Sequence, residues 1–525
     1  MRDIKAVLAE NPHLQQYLYV RAFLLADRDD LNMEEFPFMG NWKKQALRNG
    51  FVAYTHKWQT VTAVERENRT FFLFGHAYNP FTMQYREEEV LQRIANSYGT
   101  EDYQDRIDEI TGLFVYGVIG DDGVEFLCDP SGMQSACCGS VESHFYISSH
   151  AQLIGDLCGL HMNALTRELV NYRWYYRVMG PYLPADMTQF DQIKRIVPNS
   201  SYYFDGAAVS HRRFYPLKEL PECTSQEEYR EVISQAADIL KRNMELVTQK
   251  WEKPAISLSG GIDSNTTFAA ANGIYDKIEA FSFISADKEN PDAEAAEKIA
   301  ARFEVPWKLY RIPDSAEGQK DHDAICAIID HNNGYIARGN ANEYRKRVHL
   351  VEHLTSQVEI KSWTSETIRG YWYKHYGRKH MPRLSAKLFR NLYKIFIFNR
   401  PLAHKIDRVF DEYISAFEYD RIPAQYPPAD MHFNEVTWGS WGGLNISEMK
   451  IYADLVIIYN NRKFLDLLFR VPLEKRISDQ HHLDMKKYLN PELYEMGIRV
   501  VNVTETKFRA FMLNIIFTVN MLLPF

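Results

Sequence analysis

The sequence predicts an α/β protein in two parts, a strand-rich first half and a second half built on a doubly wound parallel sheet. Short aromatic and β-branched runs with Asp-Gly turns are typical of residues 1–215, whereas strands and helices alternate over residues 227–312. A Ser/Gly loop at 259–264 follows the first strand of that alternation, at the edge where parallel sheets bind ligands. Two prolines and mixed charge mark a boundary at 216–224, so we expect domains at 1–215 and 225–525.

Composition excludes several classes of protein. The chain has 525 residues, of which 46% are hydrophobic and 25% charged, as in ordinary globular proteins, and its net charge of −8 argues against nucleic-acid binding. Its six cysteines show no C-x-x-C spacing, which favours a reduced, cytoplasmic setting over a disulfide framework or a zinc site. The N-terminus lacks the apolar core of a signal peptide, and no apolar run is long enough to span a membrane.

The predicted strands of the first half are short and rich in aromatic residues. Residues 71–77 and 112–119 are the clearest, and the Asp-Asp-Gly turn at 121–123 joins the second of them to a strand at 124–128. Residues 201–207 repeat the pattern of a strand followed by an Asp-Gly turn. Turns of this kind favour hairpins in this half of the chain.

After the boundary at 216–224, the spacing of apolar residues changes from that of strands to that of helices. Apolar residues at helical spacing predict a first helix, and the following apolar runs and turn signals predict alternating strands and helices. In order, the predicted elements are a helix at 229–247, a strand at 255–258, a helix from Ser264 to Asn272, a strand at 278–285, a helix at 293–303 and a strand at 307–312.

The loop Ser259-Gly260-Gly261-Ile262-Asp263-Ser264 carries the strongest chemical signal. Its glycines let the backbone approach a ligand, and the N–H groups of a helix N-terminus attract anions. The two serines add hydroxyl donors, and Asp263 is suited to a Mg²⁺ ion that bridges phosphates. No lysine follows the second glycine, so this is not a Walker A loop. The alternative is a Ser/Gly turn without a ligand.

This loop resembles the SGGxDS pyrophosphate loop of ATP pyrophosphatases, and its position after a strand-rich half resembles the asparagine synthetase family, which includes β-lactam synthetases and lasso-peptide cyclases. The resemblance implies a glutaminase-like α+β sandwich of the Ntn type, followed by an ATP-pyrophosphatase domain that uses ATP and Mg²⁺. The segment Phe281-Ser-Phe283 resembles the strand that faces the adenine. The ATP-binding residues that the resemblance implies are Leu258, Ser259, Gly260, Gly261, Asp263, Ser264 and Phe283.

The glutaminase nucleophile of that family is missing. Active members carry a cysteine directly after the initiator Met, whereas this chain has Arg2 there and its first cysteine is Cys128. Cys137-Cys138-Gly139 is no substitute, because Ala136 stands where a nucleophile elbow has its first glycine; a buried pair of small hydrophobic residues is the better interpretation. We therefore expect no glutamine hydrolysis, which also counts against a GMP synthetase.

A second family motif, SGEGxDExFGGY, has its best counterpart at 360–371. Glu366 and Gly370-Tyr371 match its end, but Ser365 replaces the aspartate that shares the metal. Two interpretations stay open: Glu366 holds the metal together with Asp263, or the segment is a structural loop. We favour the first, with Arg369 placed to neutralise the leaving pyrophosphate.

Further along, the pair Lys486-Lys487 falls where the family has a catalytic lysine that stabilises charge during acyl transfer. Lys486 matches the spacing better than Lys487; the alternative is an exposed lysine pair on a polar helix. The segment Lys463-Phe-Leu-Asp466 resembles a P-F-L-D turn of the family. Tyr459 and Asn461 replace the family's acid and arginine just upstream, so we expect a different acceptor.

Two local patterns remain. Residues 374–406 carry nine Lys or Arg and no acid, interleaved with apolar residues, as in a basic amphipathic helix. Such a helix suits contact with a membrane surface or another anionic partner, or it is a solvated face that covers an aromatic core. The apolar stretch 511–525 is too short and polar to span a bilayer and predicts a last packed helix.

The sequence thus predicts an AMP-forming amide ligase that adenylates a small-molecule, sugar-acid or peptide carboxylate and joins it to an amine or ammonia. A catalytically degenerate scaffold of the same fold is the alternative, because Arg2 and Ser365 depart from the family. Thiolation or lysidine formation on tRNA uses the same loop. It fits less well, because that loop then lies near the N-terminus of a basic protein.

Overall fold

The computed structural model describes residues 3–285, 290–396, 398–500 and 507–522. In the first half, twelve antiparallel strands form two six-stranded sheets, with a few short helices outside them. The strands are β1 (Phe23–Ala26), β2 (Trp42–Ala46), β3 (Val52–His56), β4 (Val61–Arg66), β5 (Arg69–Tyr78), β6 (Thr111–Gly120), β7 (Gly123–Cys128), β8 (Cys137–Val141), β9 (His144–Ser148), β10 (Lys194–Arg195), β11 (Ser200–Phe204) and β12 (Val209–Arg213). The helices are α1 (Ile4–Glu10), α2 (Glu87–Ser97), α3 (Tyr103–Asp108), α4 (Ala151–Cys158) and α5 (Ala164–Val170).

The two antiparallel sheets stack face to face, in the orders β10-β8-β9-β1-β3-β2 and β12-β11-β7-β6-β5-β4. Side chains alternate between faces along each strand: Phe23 and Leu25 point into the space between the sheets, and Leu24 points outward. The rings of Phe23 and Phe74 stack across that space with centroids 4.4 Å apart. Because helices cover the outer faces, through residues such as Leu91 of α2, this half is the α+β sandwich that the family resemblance implies.

The second half contains a parallel five-stranded sheet surrounded by helices, as predicted. Its elements are α6 (Gln226–Lys250), β13 (Ala255–Ser257), α7 (Ile262–Ala269), β14 (Glu279–Ser285), α8 (Pro291–Arg302), β15 (Trp307–Ile312), α9 (His322–Asn332), α10 (Ala341–His353), β16 (Val358–Lys361), α11 (Tyr371–Tyr376), α12 (Ala386–Tyr393), α13 (Arg400–Ala416), α14 (Pro428–His432), α15 (Gly443–Met449), β17 (Asp454–Ile457), α16 (Arg462–Phe469), α17 (Leu473–Ile477), α18 (Gln480–Leu489), α19 (Pro491–Glu495) and α20 (Lys507–Leu522).

The strand order of this sheet places the carboxyl ends of β13 and β16 next to each other. The strands run β15-β14-β13-β16-β17, all parallel, so the chain winds outward from β13 in both directions. The turns after β13 and β16 therefore leave the sheet side by side at its carboxyl edge, where doubly wound proteins bind ligands. Those turns carry the 259–264 loop and the 360–371 segment that the sequence analysis selects.

The two halves share one core. Residues from the sandwich and from the parallel-sheet half belong to one continuous cluster of buried side chains. Across the junction, Arg213 and Glu435 form an ion pair of 2.7 Å with both side chains fully buried, and Asn460 donates hydrogen bonds of 2.8 Å to the Gly112 carbonyl and the Asp129 carboxylate. A buried charged pair depends on both partners, so separating the halves would leave charges unpaired in the interior.

Two expectations need correction. The helix after the loop begins at Ile262 rather than Ser264, because Gly261 is extended and forms its N-cap, and it ends at Ala269 rather than Asn272. Asp263 therefore lies in the first turn of this helix. The segment 374–406 is not one helix but the end of α11, all of α12 and the start of α13, separated by residues that include a left-handed Gly377. Its apolar side chains are buried in the core: Leu388, Phe389, Leu392, Tyr393 and Phe396.

Other expectations are confirmed. Cys137 and Cys138 lie in β8 with 3% of their surface exposed, and burial raises the pKa of both thiols, as suits small core residues and not nucleophiles. The last apolar stretch is helical to Leu522; residues 523–525, like Arg2, lie outside the described residues. No helix within the described ranges is long and apolar enough to cross a membrane.

Candidate active site

The loop after β13 is tightly built around Gly260. A Cβ atom at this position would lie 2.2 Å from Cγ2 of Val500 and 2.9 Å from the Cβ of Ala295, so only glycine fits. The Gly260 N–H donates to Oδ1 of Asp292 at 3.0 Å, and its carbonyl accepts from the Val500 N–H at 2.8 Å. The loop is thus held from both sides, by the start of α8 and by the C-terminal segment.

Two serines brace the loop from within. The hydroxyl oxygens of Ser259 and Ser264 are 2.9 Å apart, and the Gly261 N–H donates to Oγ of Ser259 at 3.2 Å. The Ser264 hydroxyl donates to the Ser259 carbonyl at 3.0 Å. These bonds keep the strand-to-helix turn narrow, so that the first N–H groups of α7 point out of the loop toward one spot, as in an anion-binding helix start.

The second segment meets the loop through Ser365. Thr364 takes a left-handed conformation at φ 69°, which turns the chain sharply into a 3₁₀ helix over Ser365–Arg369. The Ser365 hydroxyl donates to Oδ1 of Asp263 at 2.6 Å. The residue that replaces the family's aspartate therefore contacts the carboxylate with which that aspartate would share a metal.

Arg369 lies at the centre of a charged network. Its guanidinium donates to Oδ2 of Asp263, and it forms a two-bond pair with Asp479, Nε to Oδ1 at 2.7 Å and Nη2 to Oδ2 at 3.1 Å. Lys374 and Arg499 also bond to Asp479, the latter at 3.1 Å. Burial alone would raise the pKa of Asp479, but the hydrogen bonds and charges of Arg369 and Lys374 hold it well below its usual range.

Glu366 lies half-buried beside this network. Burial, with the negative charge of Asp263 as a second cause, raises the pKa of Glu366 from 4.5 to about 8. Its carboxyl group is therefore protonated near neutral pH in this structure. A cation entering the site would favour the ionised form and displace that proton.

We expect the substitution Glu366→Gln to change stability in a pH-dependent way. A folded-state pKa above the unfolded value means that wild-type stability falls as pH rises from about 4.5 to about 8. Glutamine cannot ionise, so the unfolding free energy of the variant relative to wild type should rise across this window and level off above it. Urea unfolding on either side of the window measures this, and a constant difference would contradict the raised pKa.

A cavity of about 410 Å³ lies between these elements. Residues of both halves line it, since Met179 of the first half faces the loop and the Tyr371 hydroxyl donates to its sulfur at 2.8 Å. Its charged lining side chains are Asp263, Glu366, Arg369, Lys374, Asp479, Arg499 and Arg509. Four cations surround two paired carboxylates and one protonated acid, so the cavity is electropositive and suits a phosphate-bearing ligand.

Only some of the site residues predicted from the sequence line the cavity. Gly261, Asp263, Glu366 and Arg369 line the cavity, whereas Leu258 is buried in the core with 2% of its surface exposed. Phe283 lies at the carboxyl end of β14, where the Lys346 ammonium lies 4.6 Å from its ring centre. Lys486 is buried in α18 and is outside the cavity lining, whereas its neighbour Lys487 is exposed.

Residues 459–463, which the resemblance places at the acceptor site, mostly contact other parts of the protein. The Tyr459 hydroxyl donates to the Asp263 carbonyl at 3.1 Å, so this residue does contact the loop helix. Asn461 instead caps α16 and donates to the Glu109 carbonyl in the first half. Lys463 pairs with Asp105 at 2.9 Å, so the turn supports the junction between the halves.

Sequence analysis missed four residues of the site. Asp479, His482 and Arg499 belong to no family motif in the chain, and Lys374 appeared only as part of a basic segment. The His482 Nε2 atom lies 3.4 Å from Oδ1 of Asp263, and burial lowers the pKa of this ring well below its usual value. The charged and histidine residues clustered at 479–487, around the predicted Lys486, could have indicated that this segment belongs to the site.

Magnesium at Asp263 and Glu366 does not fit the side chains as they are arranged. Both carboxylate oxygens of Asp263 are engaged, one by Ser365 and the other by Arg369. Over the described parts of the chain, no group of three or more His, Cys, Asp or Glu side chains could hold a metal ion. Mg²⁺ prefers carboxylates together with phosphate oxygens and water. The magnesium site stays a prediction, and no step below depends on it.

Comparison with known proteins identifies the fold of the site. Residues 235–345 match the asparagine synthase family model. No curated protein matches the chain. Three solved structures share part of its arrangement: a glutamine PRPP amidotransferase of B. subtilis with ADP and GMP (10% identity, 58% of this chain and 62% of the other, TM-score 0.22), a glutamine-dependent NAD⁺ synthetase of Acinetobacter baumannii with ADP (13%, 47% and 47%, TM-score 0.20) and an NAD⁺ synthetase of Burkholderia pseudomallei (16%, 38% and 85%, TM-score 0.17).

With TM-scores of 0.22 or less, these three structures share little of the arrangement of this chain. The chain spans 62% of the length of the B. subtilis enzyme. The family match, by contrast, covers α7 and the loop that precedes it, whose residues Gly261, Ile262 and Asp263 line the cavity. Residues 235–345 of this chain therefore match the model of the family that the loop at 259–264 resembles.

Proposed function

We propose that this protein is an ATP-dependent ligase that adenylates a substrate carboxylate and transfers the acyl group to an amine. The observation that carries the proposal is the electropositive cavity at the carboxyl edge of the parallel sheet, bounded by the start of α7 and by Arg369. The asparagine synthase match supports a ligase that uses ATP. The adenylating step, AMP as a product and independence from glutamine are parts of the proposal.

The cavity suits triphosphate binding in three ways. Gly261, which lines the cavity, leaves the loop backbone open to close approach, and the first turn of α7 presents N–H groups and the positive end of its dipole. Arg369 and Lys374 supply positive charge beside that turn. A guanidinium held between two carboxylates is already oriented, so little side-chain entropy is lost when it donates to a phosphate oxygen.

The reaction then proceeds in two balanced steps. A carboxylate oxygen of the substrate attacks the α-phosphorus of ATP, and the bond to the β-phosphate oxygen breaks to release pyrophosphate. The amine next attacks the carbonyl carbon of the acyl-adenylate, loses a proton and expels AMP. In the first step, Arg369 and Lys374 would neutralise charge that accumulates on the leaving pyrophosphate.

The substrate carboxylate would enter from the side that Met179, Tyr371 and Arg499 line. This wall combines an aromatic ring, a thioether and a guanidinium, which suits a carboxylate attached to a partly apolar body. A small-molecule acid, a sugar acid and a peptide carboxylate all have this character. A degenerate scaffold is the competing function, and the observation that favours it is the engagement of Asp263 by Arg369 and Ser365.

We expect ammonium or an amine, and not glutamine, to support product formation. Arg2 stands where active members of the resembled family carry their cysteine, and Cys137 and Cys138 are buried core residues, which supports ammonia or an amine as the nitrogen source. The experiment supplies ATP, candidate carboxylic acids and either nitrogen source, and measures AMP, pyrophosphate and glutamate. Release of glutamate would overturn glutamine independence, and ADP and phosphate as products would overturn adenylation. Absence of ATP binding by calorimetry would favour the scaffold.

A further inference from the structure

The outer face of α20 is apolar, and none of the residues that the structure describes covers it. Six of its side chains are each at least two-fifths exposed, and their spacing of three, four and seven residues places them on one side of the helix. These residues are Phe508, Phe511, Met512, Ile515, Val519 and Leu522. Phe508 and Leu522, at opposite ends, are 73% and 78% exposed, so the exposed face extends over the whole helix. A continuous apolar face of this kind marks an interaction site.

The opposite face of α20 is anchored to the protein. Phe517 is buried and packs on the ring of Tyr376 with centroids 4.6 Å apart, and Arg378 donates to the side chains of Asn514 and Thr518 at 2.7 and 3.1 Å. The helix is therefore fixed in orientation, and its exposed residues are those that face away from α11 and α12.

Basic residues adjoin this helix. α20 itself contains Lys and Arg but no acidic residue, and Arg378 of the neighbouring segment contacts it. Lys379 follows directly after the Arg378 contact to α20, and both Lys379 and Arg383 are exposed. A second copy of the chain would bring two such basic surfaces together, which opposes self-association, whereas anionic lipid headgroups complement them.

We propose that the outer face of α20 binds an anionic membrane surface. A helix with Phe and Leu on one side and Lys and Arg around it lies in the plane of the interface, with its apolar side among the acyl chains and its basic flank against the headgroups. The inner side of α20 contributes Arg509 and Ala510 to the cavity described above. Membrane binding would therefore place the wall of that cavity at the lipid surface. The binding itself does not depend on the proposed reaction.

The test is sedimentation of the full chain with vesicles of phosphatidylcholine alone and of phosphatidylcholine mixed with phosphatidylserine. The wild type should bind the anionic vesicles and lose affinity as salt is raised. The combined variant Phe508→Ser, Phe511→Ser and Leu522→Ser should bind at least about tenfold more weakly, because it removes the most exposed apolar groups. The variant Phe81→Ser removes a 40% exposed phenylalanine of the first half and should bind like the wild type.

A second variant removes charge and leaves α20 intact. Lys379→Gln with Arg383→Gln should weaken binding to anionic vesicles about tenfold and leave the weak binding to neutral vesicles unchanged. Thermal unfolding confirms that each variant is folded. The proposal is overturned if the wild type binds neither vesicle or if the triple variant binds as tightly as the wild type. A dimer of the wild type that the triple variant disperses, seen by light scattering, would assign the face to a second copy instead.

Discussion

Asp263→Asn should reduce pyrophosphate release by a factor of about 10² to 10³, the largest effect that we expect from any single substitution. The side chain keeps its shape but loses the negative charge that holds the Arg369 guanidinium over the start of α7. Arg369 would then pair with Asp479 alone and move away from the phosphates. The measurement is pyrophosphate release with the accepted carboxylate, together with calorimetry of ATP binding.

Asp276→Asn is the matched control for this prediction. Asp276 is an exposed aspartate in the same half, in the turn between α7 and β14, and it is not part of the cavity lining. Its variant should keep wild-type activity. If Asp263→Asn also kept near-native activity, the loop at 259–264 would not be the phosphate site, and the proposed function would fail with it.

The elements that sequence predicted best are those specified locally. The strand, glycine loop and helix around Gly260 follow from residues next to one another in the chain: an apolar run, two glycines and a polar helix start. The hairpin of β6 and β7 likewise follows from the Asp-Asp-Gly turn that joins two aromatic strands. In such cases the pattern and the structure depend on the same few residues.

The charged network could not be predicted in this way. Asp479 bonds to Arg369 over 110 positions of sequence, and the packing of α17 on the Ser365–Arg369 turn and of α18 on α7 brings them together. The replacement of the family's aspartate by Ser365 was visible in the sequence, but its consequence was not. A hydroxyl at this position donates to Asp263, so Arg369 and not a second carboxylate completes the surroundings of that residue.

The segment 374–406 shows a second limit of sequence patterns. Basic and apolar residues alternate in it, which is equally typical of a helix on a membrane and of a helix packed on a core. The structure buries Phe389, Tyr393 and Phe396 of this segment. Even Lys394 is enclosed, and its ammonium donates to the Val178 carbonyl at 2.8 Å. The exposed apolar face is on α20 instead, whose weak amphipathic pattern drew no such prediction.

Lys486→Met should lower turnover by about 10²-fold and change ATP affinity little, if Lys486 is the lysine that stabilises charge during acyl transfer. Lys486 lies one turn beyond His482 on α18, the helix that packs against α7, and His482 is 3.4 Å from Asp263. Burial, together with the charge of Arg499, lowers the pKa of Lys486. Removing a buried ammonium should leave the protein at least as stable as the wild type, so lost activity would not reflect unfolding.

The pH profile separates this role from a structural one. A lowered pKa means that Lys486 loses its proton, and with it the charge needed for transfer, at a lower pH than an ordinary lysine, so turnover should fall on the alkaline side. Lys486→Arg keeps the charge and should move that fall to higher pH. Lys487→Met, at the exposed neighbour, should change neither turnover nor profile. Equal and small effects at both positions would mean that neither lysine acts in acyl transfer.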